Sequence, residues 1–329
     1  MNRLRGLSAL VAIYFVVALL IPKPASVTDN GWRLLAIFAA TVAGMVFQPI
    51  RGGALVLIAI TAASILGGLS FKQALDGYSE PTVWLVLGAF FISRSMLNTG
   101  LARRIALFFV RLWGRTSLGV SYALCTSDLV LAAIIPSNGA RTGGVILPIV
   151  RSVAELYGSK PGETAQRIGA FLMTSVFQGT CVTTAMFLTG QSSNPLAAQM
   201  ALKLNGVTID WTSWFLAGLV PGVLSVLAVP YVVSRIYPPA VARTPEAAAF
   251  ARDELAGMGP IKRDEWILIA VFLGVCTAWA TTPIHKVDVA ASALLGCAAL
   301  LVTGVLSWDQ VVQESAAWDM FIWFGGLVN

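Results

Sequence analysis

Long apolar runs separated by short polar connections recur along the whole 329-residue chain. A helix needs ~20 apolar residues to cross ~30 Å of hydrocarbon, and the runs predict spans at residues 7–21, 32–48, 54–69 and 81–98. Arg3 and Arg5 precede the first run and Pro22-Lys23-Pro24 follows it, a pattern shared with cleaved signal peptides. With several spans downstream, a retained first helix is expected. Residues 101–113 are basic and amphipathic, the pattern of a helix lying along the membrane interface. Two apolar arms, 116–135 and 142–157, then flank a polar tip. Runs at 167–205 and 211–237, a polar linker, and spans at 265–282, 289–307 and 318–329 complete the pattern.

Two polar stretches interrupt the apolar runs. The first is Pro136-Ser137-Asn138-Gly139-Ala140-Arg141; the second, Thr189-Gly190-Gln191-Ser192-Ser193-Asn194-Pro195, falls inside the 167–205 run. A single helix over that run would reach ~55 Å, too long for one straight crossing, so a break at 189–195 is expected. Broken backbone at membrane depth is tolerated where it lines a protein cavity, and paired breaks are how secondary transporters build substrate and ion sites. The candidate substrate-binding residues are therefore Ser137, Asn138, Gly139, Arg141, Ser193, Asn194 and Pro195. Helix ends exposed at the breaks offer N–H groups with partial positive charge to an anion. Ser137, Asn138, Thr189 and Gly190 are the candidate ligands for Na⁺ if transport is sodium-coupled. The competing reading is that Ser and Asn merely cap helix ends.

The later spans repeat the earlier ones. Leu69-Ser70-Phe71-Lys72-Gln73-Ala74-Leu75 aligns without a gap on Leu306-Ser307-Trp308-Asp309-Gln310-Val311-Val312, and in that register Trp84–Gly88 falls on Phe321–Gly325. Loop charge sets orientation: with the N-terminus inside, Arg51, Arg103, Arg104, Arg151, Arg167, Arg235 and Arg263 are cytoplasmic. Lys23, Arg33, Lys72, Lys203 and Lys286 remain outside. Five crossings separate the span at Trp32 from its copy near Trp266, which makes the repeat inverted. The expected organisation is an extra N-terminal span at 1–30 and a first repeat at 31–238. That repeat holds a re-entrant hairpin at 116–157 and a broken helix at 167–205. A cytoplasmic linker at 239–264 leads to the start of a second, inverted repeat at 265–329. A second Ser-Asn hairpin in this register falls past residue 329, so the second repeat reads as incomplete and the chain as C-terminally truncated.

Composition agrees with the pattern: 57% of residues are hydrophobic and 12% charged, outside the range of soluble domains. The formal charge of +6 lies in loops between apolar runs and signals topology, not nucleic-acid binding. Cys125, Cys181, Cys276 and Cys297 have no metal-ligand spacing, His285 is the only histidine, and no HExxH motif is present. An enzyme is not expected. Arg94 and Asp128 are costly in lipid and so are functional candidates by default; for Asp128, ~12 Å before Pro136 along a helix, a structural ion pair is expected. Tryptophans such as Trp211, Trp214, Trp308 and Trp318 fit interfacial belts.

At its two polar stretches the sequence resembles the divalent anion:sodium symporter family, in the citrate and 2-oxoglutarate/malate translocator branch. Ile135–Pro148 is similar to that branch's Pro-Ser-Asn-Thr-Ala-Arg signature, and Phe187–Ala197 to its companion loop. The resemblance implies an all-helical, inner-membrane secondary transporter of succinate, malate, 2-oxoglutarate or citrate. It also implies an elevator movement, usually in a homodimer, with interfacial helices bracing the scaffold and no cofactor beyond possible Na⁺. One departure stands out: the family's Ser-Asn-Thr reads Ser-Asn-Gly here, so the hydroxyl expected at position 139 is absent. That loss, with Arg141 as a fixed cation facing the substrate, favours anion exchange; the alternative for Arg141 is a pairing with Asp128 or a helix C-terminus. The alternatives are Na⁺-coupled symport of a divalent anion or an inactive membrane fragment.

Overall fold

The computed structural model describes residues 3–133 and 135–328; Met1, Asn2, Ile134 (inside the expected hairpin) and Asn329 (inside the expected final span) lie outside the described residues. Every regular element among the described residues is helical. In chain order these are α1 (Arg3–Phe15), continued by a π-helical turn Val16–Leu20, α2 (Asp29–Phe47), α3 (Gly52–Ile65), α4 (Phe71–Leu75), α5 (Pro81–Thr99) and α6 (Leu101–Trp113). Next come α7 (Ser117–Ala132), a π-helix Gly139–Ile146 running into α8 (Leu147–Leu156), α9 (Gly169–Met186), α10 (Ser193–Asn205) and α11 (Trp211–Ile236). The remainder are α12 (Pro245–Gly257), α13 (Arg263–Ala280), α14 (Thr282–His285), α15 (Val289–Thr303), α16 (Trp308–Gln313) and α17 (Ser315–Leu327).

Three continuous helices among these, Arg3–Leu20, Asp29–Phe47 and Trp211–Ile236, are long and apolar enough to cross a bilayer. Two others stop short of their apolar runs. α3 ends at Ile65 ahead of Gly68 (φ 73°), and α15 ends at Thr303 ahead of Gly304 (φ 78°). Left-handed glycine closes helices because it adopts positive φ without a Cβ clash.

The chain forms two compact units, residues 3–87 with 312–328, and residues 88–311. In the first, Val56, Ile60 and Ala74 form a core with Met45, Tyr78, Trp323 and Leu327 around it. α3 and α17 lie parallel. The Gly53 N–H donates to the Asp319 carboxylate at 2.9 Å near their starts, and Gly326 sits against Val56 and Ile60 farther along. The Tyr78 hydroxyl donates to the Ile322 carbonyl at 2.8 Å, and the Trp84 ring meets Phe321 at 5.3 Å.

The repeat reappears in hydrogen bonding. Ser70 N–H donates to Gln73 Oε1 at 2.9 Å and Gln73 N–H to Ser70 Oγ at 3.3 Å; Ser307 and Gln310 make the same reciprocal pair at 3.0 and 3.2 Å. Just before each box, Leu69 N–H bonds the Ala63 carbonyl and Leu306 N–H the Leu300 carbonyl. A capping box satisfies two otherwise unpaired donors at a helix start, which explains why Ser and Gln match in both copies.

In the second unit α6 turns 64° away from α5 at Gly100, whose φ is 81°. It buries Leu101, Ala106, Leu107 and Val110 while Phe108, Leu112 and Trp113 stay exposed, the two-sided pattern of an interfacial helix. The linker, read from sequence only as a polar connection, holds the helix α12, which buries Ala247 and Ala251 completely. Its approach holds both ends of the hairpin: Ser117 N–H donates to the Ala242 carbonyl at 3.1 Å, and the Tyr157 hydroxyl to Glu246 at 2.7 Å. Both arms therefore return to the same short segment, 242–247.

Candidate functional site

The first break opens where α7 ends at Ala132, and the chain is helical again from Asn138, which leads into the π-helix at Gly139. Ser137 Oγ accepts from the Ala140 N–H at 3.2 Å, and the Ser137 carbonyl from the Arg141 N–H at 3.0 Å. Ser137 is thus an N-cap, the role its chemistry suits everywhere. The helix it starts is π-form over Gly139–Ile146, a geometry concentrated at functional sites.

The second break spans Phe187 to Ser192, between α9 and α10. It needs glycine at 190, because a Cβ there would meet the Thr184 carbonyl oxygen at 2.5 Å. Asn194 Nδ2 donates to the Thr184 and Phe187 carbonyls at 2.8 and 2.9 Å, closing the frayed end of α9. Pro195 is buried in the first turn of α10, while Ser193 is exposed.

The two breaks meet. Asn138 Nδ2 donates to Gln191 Oε1 at 3.2 Å, and Asn138 Oδ1 accepts from the Thr184 hydroxyl at 3.1 Å. The Thr189 hydroxyl donates to the Ala133 carbonyl at 2.6 Å and accepts from the Trp211 indole N–H at 3.2 Å. Gln191 Nε2 in turn donates to Ser193 Oγ. Asn138, Gly139, Gln191 and Ser193 keep some exposure, whereas Thr189 and Gly190 are buried.

Arg141 does not face that open surface. Its residue is 0% exposed, and its guanidinium is consumed by protein partners. Nε bonds Asp128 Oδ1 at 3.1 Å, one terminal nitrogen bonds the Ile135 and Gly190 carbonyls at 2.5 and 2.8 Å, and the other bonds the Thr184 hydroxyl at 2.8 Å. Thr183 donates to the second carboxylate oxygen of Asp128. The expectation that the guanidinium meets substrate is therefore corrected: unpaired charge at this depth is expensive, and Asp128 with three protein oxygens offsets it completely. Asp128 is the structural ion-pair partner its position suggested. The atoms of Thr189 and Gly190 considered for Na⁺ are also spoken for, the hydroxyl by Ala133 and Trp211 and the carbonyl by Arg141.

Sequence reasoning missed three sets of contributors: Gln191, the threonines of α9, and two tryptophans. Gln191 lay inside the second polar stretch and carries the same signal as its neighbours, a polar side chain in an apolar setting. Thr180, Thr183 and Thr184 line one region of α9, and Thr180 meets Thr142 at 2.9 Å. Trp211, read as a belt residue, is only 7% exposed and holds Thr189, and the Trp214 indole N–H donates to the Ala185 carbonyl at 2.9 Å. No periodicity announces a tryptophan's hydrogen-bond partner, so this signal was absent.

An all-helical membrane protein with two polar helix breaks joined at one surface defines a transporter-type site. The chain belongs to the sodium:sulfate symporter transmembrane region family, whose model matches residues 1–329. It is 43% identical over 309 residues to a putative malate transporter of Bacillus subtilis, covering 94% of this chain and 65% of that one. It is 41% identical to the chloroplastic dicarboxylate transporter 1 of Arabidopsis thaliana, covering 94% and 56% respectively. It is also 32% identical to the L-tartrate/succinate antiporter of Escherichia coli, covering 97% and 69%. The chain thus spans less than two thirds of the first two relatives' lengths. All three relatives are named as transporters, none as an enzyme.

Proposed function

We propose that this protein carries small di- and tricarboxylates across the inner membrane by exchange, through an elevator movement in a homodimer, with its N-terminus in the cytoplasm. The carrying observation is Arg141: one fixed cation holds the Ile135 carbonyl at the first break and the Gly190 carbonyl at the second. Free carbonyls at such breaks hold Na⁺ in coupled carriers; here a guanidinium already takes them, which supports sodium-independent exchange. Arg141 is not itself an unpaired charge awaiting substrate, because Asp128 neutralises it. The substrate's charge is then met by the helix starts at Gly139 and Ser193 and by amides at the open surface. The relatives' names, malate, dicarboxylate and tartrate/succinate, support the substrate class. The family's description favours a second reading, Na⁺-coupled symport. Asn138→Ala in the full-length protein tests the site: carboxylate uptake should be lost with expression nearly unchanged, and wild-type uptake by this variant would remove the site from this surface.

A further inference from the structure

Among the described residues, the bond between Asn138 and Gln191 joins the two breaks through a pair of side-chain amides. The deeper bonds, Thr189 to Ala133 and Arg141 to Gly190, involve backbone carbonyls and buried groups. Asn138 to Gln191 joins two half-buried side-chain amides at 3.2 Å. Next to it the surface is open, since a Cβ at Gly139 would have Ser137 Oγ, at 3.8 Å, as its only neighbour within contact range. Gln191 stands in extended backbone (φ −155°, ψ 146°) between two helices, so its side chain is placed by the loop and not by a helical face. Each amide uses one N–H in these contacts, the Asn138 one on Gln191 and the Gln191 one on Ser193; an amide nitrogen carries two.

Resting on the carboxylate-transport reading, we infer that Gln191 is a substrate-contacting and specificity-determining residue. Gln191 and Asn138 satisfy each other in the empty site and turn their amide N–H groups to one carboxylate when substrate enters. A carboxylate oxygen accepts several hydrogen bonds, and charge-assisted bonds are stronger than the neutral amide–amide bond they replace. The exchange is favourable for a carboxylate and unfavourable for a neutral isostere.

The discriminating variant is Gln191→Glu in the full-length protein. It is isosteric: its carboxylate still accepts from Asn138 Nδ2, and Ser193 becomes the donor in the second contact, so the loop stays closed. It offers no N–H to substrate and adds a repelling charge. Thermal unfolding in detergent, with and without succinate or malate, reads binding apart from transport. Gln191→Glu should unfold at the wild-type temperature without ligand and lose ligand-induced stabilisation. Gln191→Ala should bind about 10- to 100-fold more weakly, with the loss in KM of counterflow and not in its rate at saturation. Wild-type stabilisation of Gln191→Glu by succinate would show that Gln191 only braces the loop. If the wild-type protein itself responds to no carboxylate, the transport reading falls as well.

Discussion

Arg141 and Asp128 show how one buried pair organises both breaks. Removing one member of a buried ion pair typically costs about 3–5 kcal/mol because the other charge is left uncompensated. Arg141→Ala and Asp128→Ala should each destabilise the protein by about that amount, whereas the double variant Asp128→Leu/Arg141→Met should recover most of the loss; chemical denaturation in detergent measures all three. A double variant as unstable as the sum of the singles would mean the two residues do not act on each other. Gly139→Thr restores the hydroxyl of the family signature at a position where an added Cβ meets nothing closer than Ser137 Oγ at 3.8 Å, so it should fold normally and change carboxylate affinity. An unchanged affinity would place position 139 away from substrate. The identity of the polar residues was legible because Ser, Asn and Arg in an apolar run must each have a partner. Their division of labour was not. Ser137 and Asn194 cap helix ends while Asn138 faces the opening, and that depends on which backbone groups each break leaves unpaired.

At the scale of elements, the breaks and the interfacial turn of α6 were readable from length and amphipathicity. The helix α12 was not, because its buried face is only Ala247 and Ala251, too small to raise an apolar period. Its docking carries a pH dependence. The hydrogen bond from Tyr157 holds the Glu246 carboxyl below its usual range. A depressed carboxylate favours the docked state above its ordinary pKa and loses that contribution as pH falls through the lowered value. Protection of the α12 amides against hydrogen exchange, relative to their intrinsic rates at each pH, should therefore fall in acid, and Tyr157→Phe should remove this pH response; an equally steep response in the variant would assign it to another group. The matched capping boxes give a paired test. Ser70→Ala and Ser307→Ala should each cost about 1 kcal/mol, and strongly unequal losses would mean that the two copies do not play the same structural part.

For the whole molecule, the matched segments share a capping box, Ser70 with Gln73 and Ser307 with Gln310, and family membership follows from the match over residues 1–329. What sequence could not decide was whether Arg141 meets substrate or Asp128, because the two lie 13 residues apart across a break whose path only the fold fixes, and the coupling mode turns on that partner. The central claim is that a fixed guanidinium stands where a coupled carrier places sodium. Counterflow of labelled succinate by the full-length protein in proteoliposomes tests it most directly, comparing sodium with choline buffers and liposomes loaded with or without unlabelled malate. The account predicts uptake that requires internal dicarboxylate and proceeds equally in choline. Net uptake into liposomes without internal anion, driven by a sodium gradient and abolished in choline, would contradict it.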